Sequence, residues 1–421
     1  MKILFVYSSL PIGGIETFIV RLSKNLHQNS FEVLVLFFVK NYDQKLMNEL
    51  KKYATIYFWD DIVCVPKILK NLPPIIRLFF PIRLKSNNLN FMDGVSHIHA
   101  PDINSILFSN RLLNAINNFN IPLTTGIYHI NEFNLNNCSK FYFGKILIKI
   151  INTIPYKNII FFNDICKKSY KSTFQKEFTN SKVCPIGVDT IKYEGTYSGC
   201  QNNKVVSIGR LTKWKTYHYH IIKVIRTLKE KGIYLEYHSY GTGEELKNLI
   251  NYVDENDLEK QVFFNENIQY DLFKETIDGS LMFIGAGTAL IEASACGIPS
   301  LIGIENESEA VSYGFLHNTT SLSYQENELT LPKYPIENYI LHLMNTNHDE
   351  YLQECTKARI RSQDFSMQST YSKFINFLNE SISWNLNLSY LNSFYFFISL
   401  CFYWIYENLI IKSDKNYFTR L

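Results

Sequence analysis

The fold of this chain is decided by the stretch Ser280-Leu-Met-Phe-Ile284-Gly-Ala-Gly287-Thr-Ala-Leu-Ile-Glu292-Ala-Ser-Ala-Cys-Gly297-Ile-Pro299. An apolar strand predicted over residues 280–284 runs into a loop of small residues and then into a helix that stops at Gly297. A second apolar strand starts after Pro299. Such a loop leaves backbone N–H groups at the helix N-terminus, which suits a phosphate or diphosphate. The stretch therefore predicts a phosphate site, with Glu292 just inside the helix that faces it.

The bulk composition is that of a globular protein with two domains. The 421 residues suffice for two hydrophobic cores, and 46% of them are hydrophobic against 19% charged. The net charge of only +3 gives no global basic field, so nucleic acid is not an expected partner. The apolar N-terminal run is too short for a signal peptide and predicts a buried first strand.

The cysteines and acidic residues indicate no metal site. The eight cysteines are scattered, and none forms a Cys-x-x-Cys pair. Reduced thiols in a cytoplasmic protein are the simpler interpretation. Asp60 and Asp61 are adjacent and lack both an Asp-x-Asp pattern and supporting ligands. We expect neither a metal nor any other cofactor.

Strands and helices alternate in both halves of the chain. Strands are predicted at residues 2–8, 31–39, 95–99, 122–128 and 158–162, and then at 204–208, 234–240, 262–265 and 280–284. Helices are predicted at residues 15–26, 217–231 and from 246, and after residue 334 at 336–344, 349–361 and 366–380. Two successive βαβ series predict an α/β fold of two Rossmann-like domains facing across a cleft, with a C-terminal helical extension.

The domain limits follow from this alternation. We predict a first domain over residues 1–189, a second over 190–365, and a helix over 366–383 that returns to the first domain. An aromatic tail covers 384–421. Residues 385–406 carry no charge, and we weigh a transmembrane helix, an interfacial helix and a docked amphipathic tail for them. Residues 65–85 mix basic and apolar side chains, which suits either an anionic membrane surface or a core helix with a solvated cationic face.

Three strand-end loops of the second half meet at one edge of the predicted sheet. They contain Gly209 and Arg210, then Gly241 and Gly243, and then Gly285, Gly287 and Thr288. In Rossmann-like domains ligands bind outside the carboxyl ends of the strands. Arg210 and Lys215 place two cations over the helix N-terminus, which suits stabilisation of a leaving diphosphate. Solvated surface cations and ordinary turn glycines are the structural alternative.

These motifs resemble glycosyltransferase family 4. The resemblance rests on the runs Val205-Val-Ser-Ile-Gly209-Arg210-Leu-Thr-Lys-Trp-Lys215, Tyr240-Gly-Thr-Gly243 and Glu292-Ala-Ser-Ala-Cys-Gly297-Ile-Pro299, supported by Gly13-Gly14-Ile-Glu16-Thr-Phe and Cys184-Pro-Ile-Gly187-Val188-Asp189. It covers about residues 1–380 and is stronger in the second half. It implies the two-domain GT-B fold and transfer with retention of anomeric configuration.

The resemblance also implies roles for individual residues. Arg210 and Lys215 would bind the donor diphosphate, Thr288 and Ala289 would offer backbone amides to the phosphates, and Glu292 would bind the ribose hydroxyls. A carboxylate accepts two hydrogen bonds from a vicinal diol. The alternative for Glu292 is a carboxylate that complements the helix dipole.

One position departs from the family pattern. The family usually has a second Glu eight positions before Glu292, where it meets the donor sugar, and Ile284 stands there in this chain. Backbone amides of Gly285 to Thr288 are the alternative sugar contacts. The donor sugar stays open, and so does a catalytically silent member of the family.

The first half supplies further candidates, for donor binding, for catalysis and for the acceptor side. Gly13 and Gly14 allow close approach of the backbone to a ligand at the cleft, although a tight turn without a ligand explains them too. His99 and His129 each follow a predicted strand. The family usually has a His after such a strand, near the reacting sugar, and we prefer His129 for it. Glu132 is a candidate on the acceptor side.

The sequence therefore predicts a glycosyltransferase that moves a sugar from a nucleotide diphosphate donor to a lipid-linked or oligosaccharide acceptor. The expected setting is bacterial surface polysaccharide synthesis (capsule, exopolysaccharide or O-antigen), with the protein cytoplasmic and peripheral at the inner face of the cell membrane, where the tail is a candidate anchor. The alternatives are a silent GT-B scaffold in a membrane-associated complex and an NAD-dependent oxidoreductase. The oxidoreductase is disfavoured because neither Gly-x-Gly loop has a third glycine at the expected spacing.

Overall fold

The computed structural model describes residues 1–11, 13–64, 83–85, 90–128, 133, 138–193, 202–387 and 393–406. The candidates His129 and Glu132, and residues 65–82 of the basic and apolar segment, lie outside these residues. The chain divides into two compact units. Unit 1 comprises Met1–Ile186 together with the part of Thr370–Leu421 that the structure describes, and unit 2 comprises Gly187–Ser369.

Unit 1 is built on a parallel sheet. Its strands are β1 (Lys2–Tyr7), β2 (Glu32–Phe37), β3 (Thr55–Phe58), the short antiparallel pair β4 (Val63–Cys64) and β5 (Arg83–Leu84), β6 (Val95–His99), β7 (Leu123–Ile127), β8 (Ile159–Phe161) and β9 (Lys182–Val183). The main sheet has the order β3-β2-β1-β6-β7-β8-β9 among the described strands, with parallel pairing throughout. The strands predicted from their apolar runs are all present, whereas β3, the short β4–β5 pair and β9 were missed.

Helices connect the strands of unit 1. They are α1 (Gly14–Gln28), α2 (Gln44–Leu50), α3 (Trp59–Ile62), α4 (Ile103–Ala115), α5 (Tyr142–Thr153) and α6 (Asp164–Phe174). Asp102 and Asn163 cap α4 and α6 by accepting hydrogen bonds from the backbone N–H of Ser105 and Cys166, at 2.9 and 2.7 Å. Buried apolar residues of β1 and β2 are covered on both faces, which explains their near-continuous hydrophobic sequence.

Unit 2 repeats the scheme with a smaller sheet. Its strands are β10 (Asn202–Ile208), β11 (Glu236–Tyr240), β12 (Val262–Asn265), β13 (Ser280–Gly285) and β14 (Ser300–Ile302), with the antiparallel pair β15 (Val311–Ser312) and β16 (Tyr334–Pro335) beside them. Its helices are α7 (Tyr217–Glu230), α8 (Leu246–Asp254), α9 (Phe273–Ile277), α10 (Thr288–Ala295), α11 (Ile336–Asn345) and α12 (His348–Ser362). The order β12-β11-β10-β13-β14, with parallel pairing, is that of a Rossmann-like half.

The C-terminal segment completes unit 1. Helix α13 (Met367–Glu380) packs Phe374 against Phe5 of β1, with ring centroids 6.0 Å apart. Helix α14 (Ser393–Tyr406) packs on α5. Within the uncharged tail segment, residues 393–406 therefore form a short helix docked on the rest of unit 1. Among the described residues, no helix combines the length and the apolar character that crossing a membrane requires.

Two buried asparagines hold the chain between α13 and α14. Asn110 of α4 donates to the carbonyl of Leu386 at 2.9 Å and accepts from its N–H at 3.0 Å. Asn158 donates to the carbonyl of Ile382 at 2.7 Å and accepts from its N–H at 3.1 Å. Each side-chain amide pairs with the N–H and the C=O of one residue, as a neighbouring strand would. The irregular segment is thereby fixed to unit 1, although Leu386 is the one buried residue among 381–387.

We expect Asn110→Ala to cost about 2–4 kcal/mol of unfolding free energy, because both polar groups of the buried Leu386 peptide lose their partner. The measurement is urea unfolding, with amide hydrogen exchange at residues 381–387 as a local readout. Asn114→Ala, an exposed change one turn along the same helix, is the matched control and is expected to cost less than about 0.5 kcal/mol. Equal effects of the two substitutions would contradict this role of Asn110.

Candidate functional site

The carboxyl ends of three neighbouring strands of unit 2 lie side by side. Ile208 at the end of β10 is in register with Tyr240 at the end of β11, and β13 pairs with the other edge of β10. The loops that follow begin at Gly209, Gly241 and Ala286. The structure thus brings together the three loops in which the sequence placed its donor-site candidates.

The first two loops stack backbone on backbone. Gly209 N–H donates to the carbonyl of Tyr240 at 2.9 Å, and Leu211 N–H donates to the carbonyl of Thr242 at 3.0 Å. A Cβ atom on Gly241 would collide with the Gly209 carbonyl, and Gly241 has a φ of +152°. Gly243 is packed in the same way against the Leu211 carbonyl. Backbone packing therefore requires glycine at positions 241 and 243, independent of any ligand.

The third loop turns into α10 at Gly287. Gly287 has a φ of +68°, which favours glycine, and it immediately precedes the first helical residue, Thr288. Because a helix cannot pair the N–H groups of its own first turn, those of Thr288 and Ala289 point out of α10. Both residues are half-buried. This is the helix N-terminus that the sequence predicted.

A second segment fixes the Gly287 peptide. Gly287 N–H donates to Oε1 of Gln325, and the Gly287 carbonyl accepts from the Tyr324 hydroxyl at 3.1 Å. Gln325 Nε2 in turn donates to Glu305 at 3.3 Å. Sequence reasoning missed Gln325 and Glu305, and no motif in the chain marks them.

Lys215 is the half-buried cation of this edge. Its Nζ lies 3.0 Å from the position that a Cβ atom on Gly209 would take. Burial lowers the pKa of Lys215, and the positive charge of Arg210 acts in the same direction, whereas the carboxylate of Glu305 opposes both. Arg210 itself is exposed. The two predicted cations therefore influence each other at the mouth of the loops.

A neutral polar network lies beside Lys215 in the core of unit 2. His218 Nδ1 and the Tyr237 hydroxyl are 2.7 Å apart, and the same hydroxyl lies 2.7 Å from Ser207 Oγ. Burial lowers the pKa of His218 to about 3, and the charge of Lys215 contributes. The imidazole is consequently neutral, and the cationic charge stays on Lys215 and Arg210.

Glu292 lies inside α10, only 4% exposed. It follows the first turn of the helix, so the interpretation as a first-turn carboxylate that complements the dipole is weakened. Its negative charge contributes to raising the pKa of Tyr324, for which burial is the main cause. A carboxylate that is buried this deeply requires polar or charged partners.

Ile284 is fully buried in the core of unit 2. It pairs with Leu301 across β13 and β14. The position where a sugar-contacting carboxylate was expected is therefore part of the hydrophobic core. Gly285, the next residue, accepts a hydrogen bond from Gly303 N–H at 2.7 Å through its carbonyl.

The candidates of unit 1 that the structure describes are Gly13, Gly14 and His99. Gly13 is extended, and its carbonyl accepts a hydrogen bond from the Thr17 hydroxyl at 2.9 Å. His99 is 1% exposed, with its ring nitrogens 3.0 Å from the hydroxyls of Thr124 and Tyr128. Burial lowers its pKa to about 3. His99 is thus a neutral core histidine.

The described cysteines are all free, and the described His, Cys, Asp and Glu side chains form no cluster of three or more that could hold a metal ion.

Comparison with known proteins points to one class. Residues 199–307 match the family described as glycosyl transferases group 1. By sequence, no curated protein matches the chain. In structure the chain is similar to HepE from Anabaena, solved in complex with UDP and glucose, with 16% identity, a TM-score of 0.62, and 90% of this chain and 99% of that one covered.

Two further solved structures are similar at the same coverage of this chain. A glycosyltransferase from Rickettsia africae has 16% identity and a TM-score of 0.62, with 90% of this chain and 98% of that one covered. The lipopolysaccharide outer core galactosyltransferase WaaB, in its apo form, has 13% identity and a TM-score of 0.54, with 90% and 99% covered. The fold is therefore the GT-B fold with two Rossmann-like domains, and the match over residues 199–307 marks the protein as a glycosyltransferase.

The loop that carries Gln325 gives a pH prediction. Burial raises the pKa of Glu326 to about 7 from its ordinary value of 4.5, and the charge of Glu305 adds to the rise. The folded state therefore holds the proton more tightly than the unfolded state. The associated stability is fully present below pH 4.5 and is lost as the pH rises to about 7.

Glu326→Gln removes this loss. The change that it makes to the free energy of unfolding is therefore expected to be about 3 kcal/mol more favourable at pH 8 than at pH 4. Thermal and urea unfolding across this range measure it. Glu328→Gln, an exposed carboxylate on the same loop, is the control and is expected to show no such trend. A pH-independent effect of Glu326→Gln would show that the carboxyl group has an ordinary pKa.

Proposed function

We propose that the protein is a retaining glycosyltransferase of family 4 that uses a nucleotide diphosphate sugar as donor. The observation that carries the proposal is the convergence of Arg210, Lys215 and the N-terminus of α10 at one sheet edge, within the segment that matches the glycosyltransferase family. Two cations and a helix N-terminus form a site for two linked phosphates, and the buried carboxylate of Glu292 lies on the same helix.

The donor diphosphate would accept hydrogen bonds from the first-turn N–H groups of α10. Thr288 and Ala289 offer theirs directly. The Gly287 N–H is held by Gln325, and a phosphate oxygen would take the place of that side-chain oxygen. Gln325 thus keeps the Gly287 N–H hydrogen-bonded in the free protein. Its side-chain oxygen therefore competes with the phosphate for this N–H.

The cations would act when the bond between the anomeric carbon and the phosphate oxygen breaks. The electron pair of that bond goes to the diphosphate, so negative charge grows next to Arg210 and Lys215. The half-buried Lys215 acts in a medium of lower dielectric constant than water, where its charge has a larger effect. The acceptor hydroxyl attacks the same face of the anomeric carbon, and its proton passes to the departing phosphate oxygen.

This mechanism assigns charge neutralisation to the two cations and needs no metal. Glu292 is proposed to accept hydrogen bonds from both ribose hydroxyls of the nucleotide. For the unit 1 side, Gly13 and Gly14 stay candidates for donor contact. His129 and Glu132 stay candidates near the reacting sugar and on the acceptor side.

The proposed acceptor is a lipid-linked or oligosaccharide substrate in bacterial surface polysaccharide synthesis. Support comes from the similarity to WaaB, which is a lipopolysaccharide galactosyltransferase, and from the UDP and glucose bound by HepE. The buried Ile284 supports a second candidate, a protein that binds the nucleotide and has lost transfer. Nucleotide binding without release of nucleoside diphosphate from any sugar donor would favour this second candidate.

Removing either cation tests the donor site. Arg210→Ala and Lys215→Ala are each expected to weaken UDP or GDP binding by about tenfold or more, because each loses a charge-assisted contact worth about 1.5–3 kcal/mol. Calorimetry measures the affinity, and release of nucleoside diphosphate in the presence of EDTA measures turnover. Lys223→Ala, an exposed lysine on α7, should bind as the wild type does. Unchanged affinity in both site variants, or binding of NAD instead, would refute the site.

Gln325→Glu tests the competition at Gly287. A carboxylate accepts a stronger hydrogen bond from the Gly287 N–H than an amide does, and it repels the diphosphate. We therefore expect nucleotide affinity to fall at least about tenfold. The new carboxylate also replaces the hydrogen bond to Glu305 by repulsion, so the thermal unfolding temperature of the free protein should fall. In Gln325→Ala the N–H is left for the phosphate, so affinity should be retained or rise. Tighter binding in Gln325→Glu than in Gln325→Ala would place the diphosphate elsewhere.

A further inference from the structure

Helix α14 has large apolar side chains on both of its sides. Phe396, Leu400 and Tyr403 are buried against unit 1. The opposite side exposes Phe394 (68%), Tyr395 (61%), Phe402 (61%), Trp404 (46%) and Ile405 (43%), and we call these five residues the aromatic face. No side chain of Ser393–Tyr406 carries a charge. Contiguous exposed apolar surface of this kind marks a site of association.

The inner side of α14 is anchored, so the aromatic face stays outward. The ring of Phe143 on α5 lies 4.9 Å from that of Tyr403 and 6.2 Å from that of Phe396. The backbone N–H of Phe143 donates to the hydroxyl of Ser399 at 3.2 Å. Rotation of α14 to bury its outer side would break these contacts.

Exposed lysines border the aromatic face on α5. Lys145 and Lys149 lie three and seven residues after Tyr142, on the same side of the helix, and the ring of Tyr142 is 6.5 Å from that of Tyr395. Lys140, just before α5, is exposed as well. Residues 138–157 contain four lysines and no Asp or Glu. The rim of the aromatic face on this side is therefore positive.

We propose that the aromatic face and these lysines bind the surface of an anionic lipid bilayer. Aromatic side chains, Trp and Tyr above all, favour the boundary between lipid headgroups and acyl chains, and lysines beside them are attracted to anionic headgroups. The 14 residues of α14 cover about 21 Å at 1.5 Å per residue, against about 30 Å of hydrocarbon. The helix therefore lies along the interface, and it holds the catalytic protein at the membrane independently of the proposed donor site.

The test is co-sedimentation of the full-length protein with vesicles of phosphatidylcholine, either alone or mixed with phosphatidylglycerol. We expect binding to the mixed vesicles, with a blue shift of tryptophan fluorescence that Trp404→Phe removes. The triple substitution Phe394→Ser, Phe402→Ser and Trp404→Ser should lower the affinity by at least about tenfold. A second triple variant replaces the lysines by Gln: Lys140→Gln, Lys145→Gln and Lys149→Gln. It should lower the affinity for the mixed vesicles by about tenfold or more and leave binding to phosphatidylcholine alone unchanged.

The substituted positions are exposed, so the unfolding temperature should match that of the wild type and shows that each variant folds. Ile191→Ser and Ile360→Ser, at 72% and 68% exposure in unit 2, are the matched apolar controls and should bind vesicles as the wild type does. Lys215→Ala should do so too, which separates failure of this proposal from failure of the donor site. The proposal would be overturned if the wild-type protein bound neither kind of vesicle. It would also be overturned by a dimer in solution that the triple serine variant dissociates, since the aromatic face would then bind a second copy of the chain.

Discussion

Two backbone hydrogen bonds, from Gly209 to Tyr240 and from Leu211 to Thr242, determine the geometry of the candidate site. They press the loop after β10 against the loop after β11, which is why Gly241 and Gly243 have no room for a Cβ atom. The compressed loop turns Lys215 back over Gly209, and Arg210 stays at its exposed rim. The position of the half-buried Lys215 thus follows from main-chain packing, whereas Arg210 is exposed.

The electrostatics of the edge follow from this packing. A half-buried lysine loses part of its hydration, which lowers its pKa, and the carboxylate of Glu305 partly compensates. Gln325 then links Glu305 to the Gly287 amide at the start of α10. The site therefore carries its own polar partners in the free protein. In the proposed complex a diphosphate would replace one amide oxygen, and it would meet two cations and a helix N-terminus.

The sequence predicted those parts of the fold that depend on local pattern. The strand, glycine loop and helix at residues 280–297 occur as expected because an apolar run and a glycine with positive φ leave few alternatives. Gln325 and Glu305 could not be predicted, since Gln325 reaches Gly287 from an irregular segment 38 residues along the chain and Glu305 contacts Gln325 from another. The same holds for Asn110, whose partner Leu386 is 276 residues away. The sequence left three alternatives for the segment that contains helix α14, because the helix is apolar on both sides. Only its packing shows which side is buried.

The contacts of Asn110 and Asn158 with the C-terminal segment form late in biosynthesis. Unit 2 is continuous in sequence, whereas unit 1 is assembled from both ends of the chain. On the ribosome, the sheet of unit 1 emerges first, but Asn110 and Asn158 meet Leu386 and Ile382 only after the whole of unit 2 has been made. Until then the surface of unit 1 that the C-terminal segment covers is exposed to solvent. Unit 1, which begins to fold first, is therefore completed last. While unit 2 is being synthesised, this surface of unit 1 is accessible to chaperones and to aggregation.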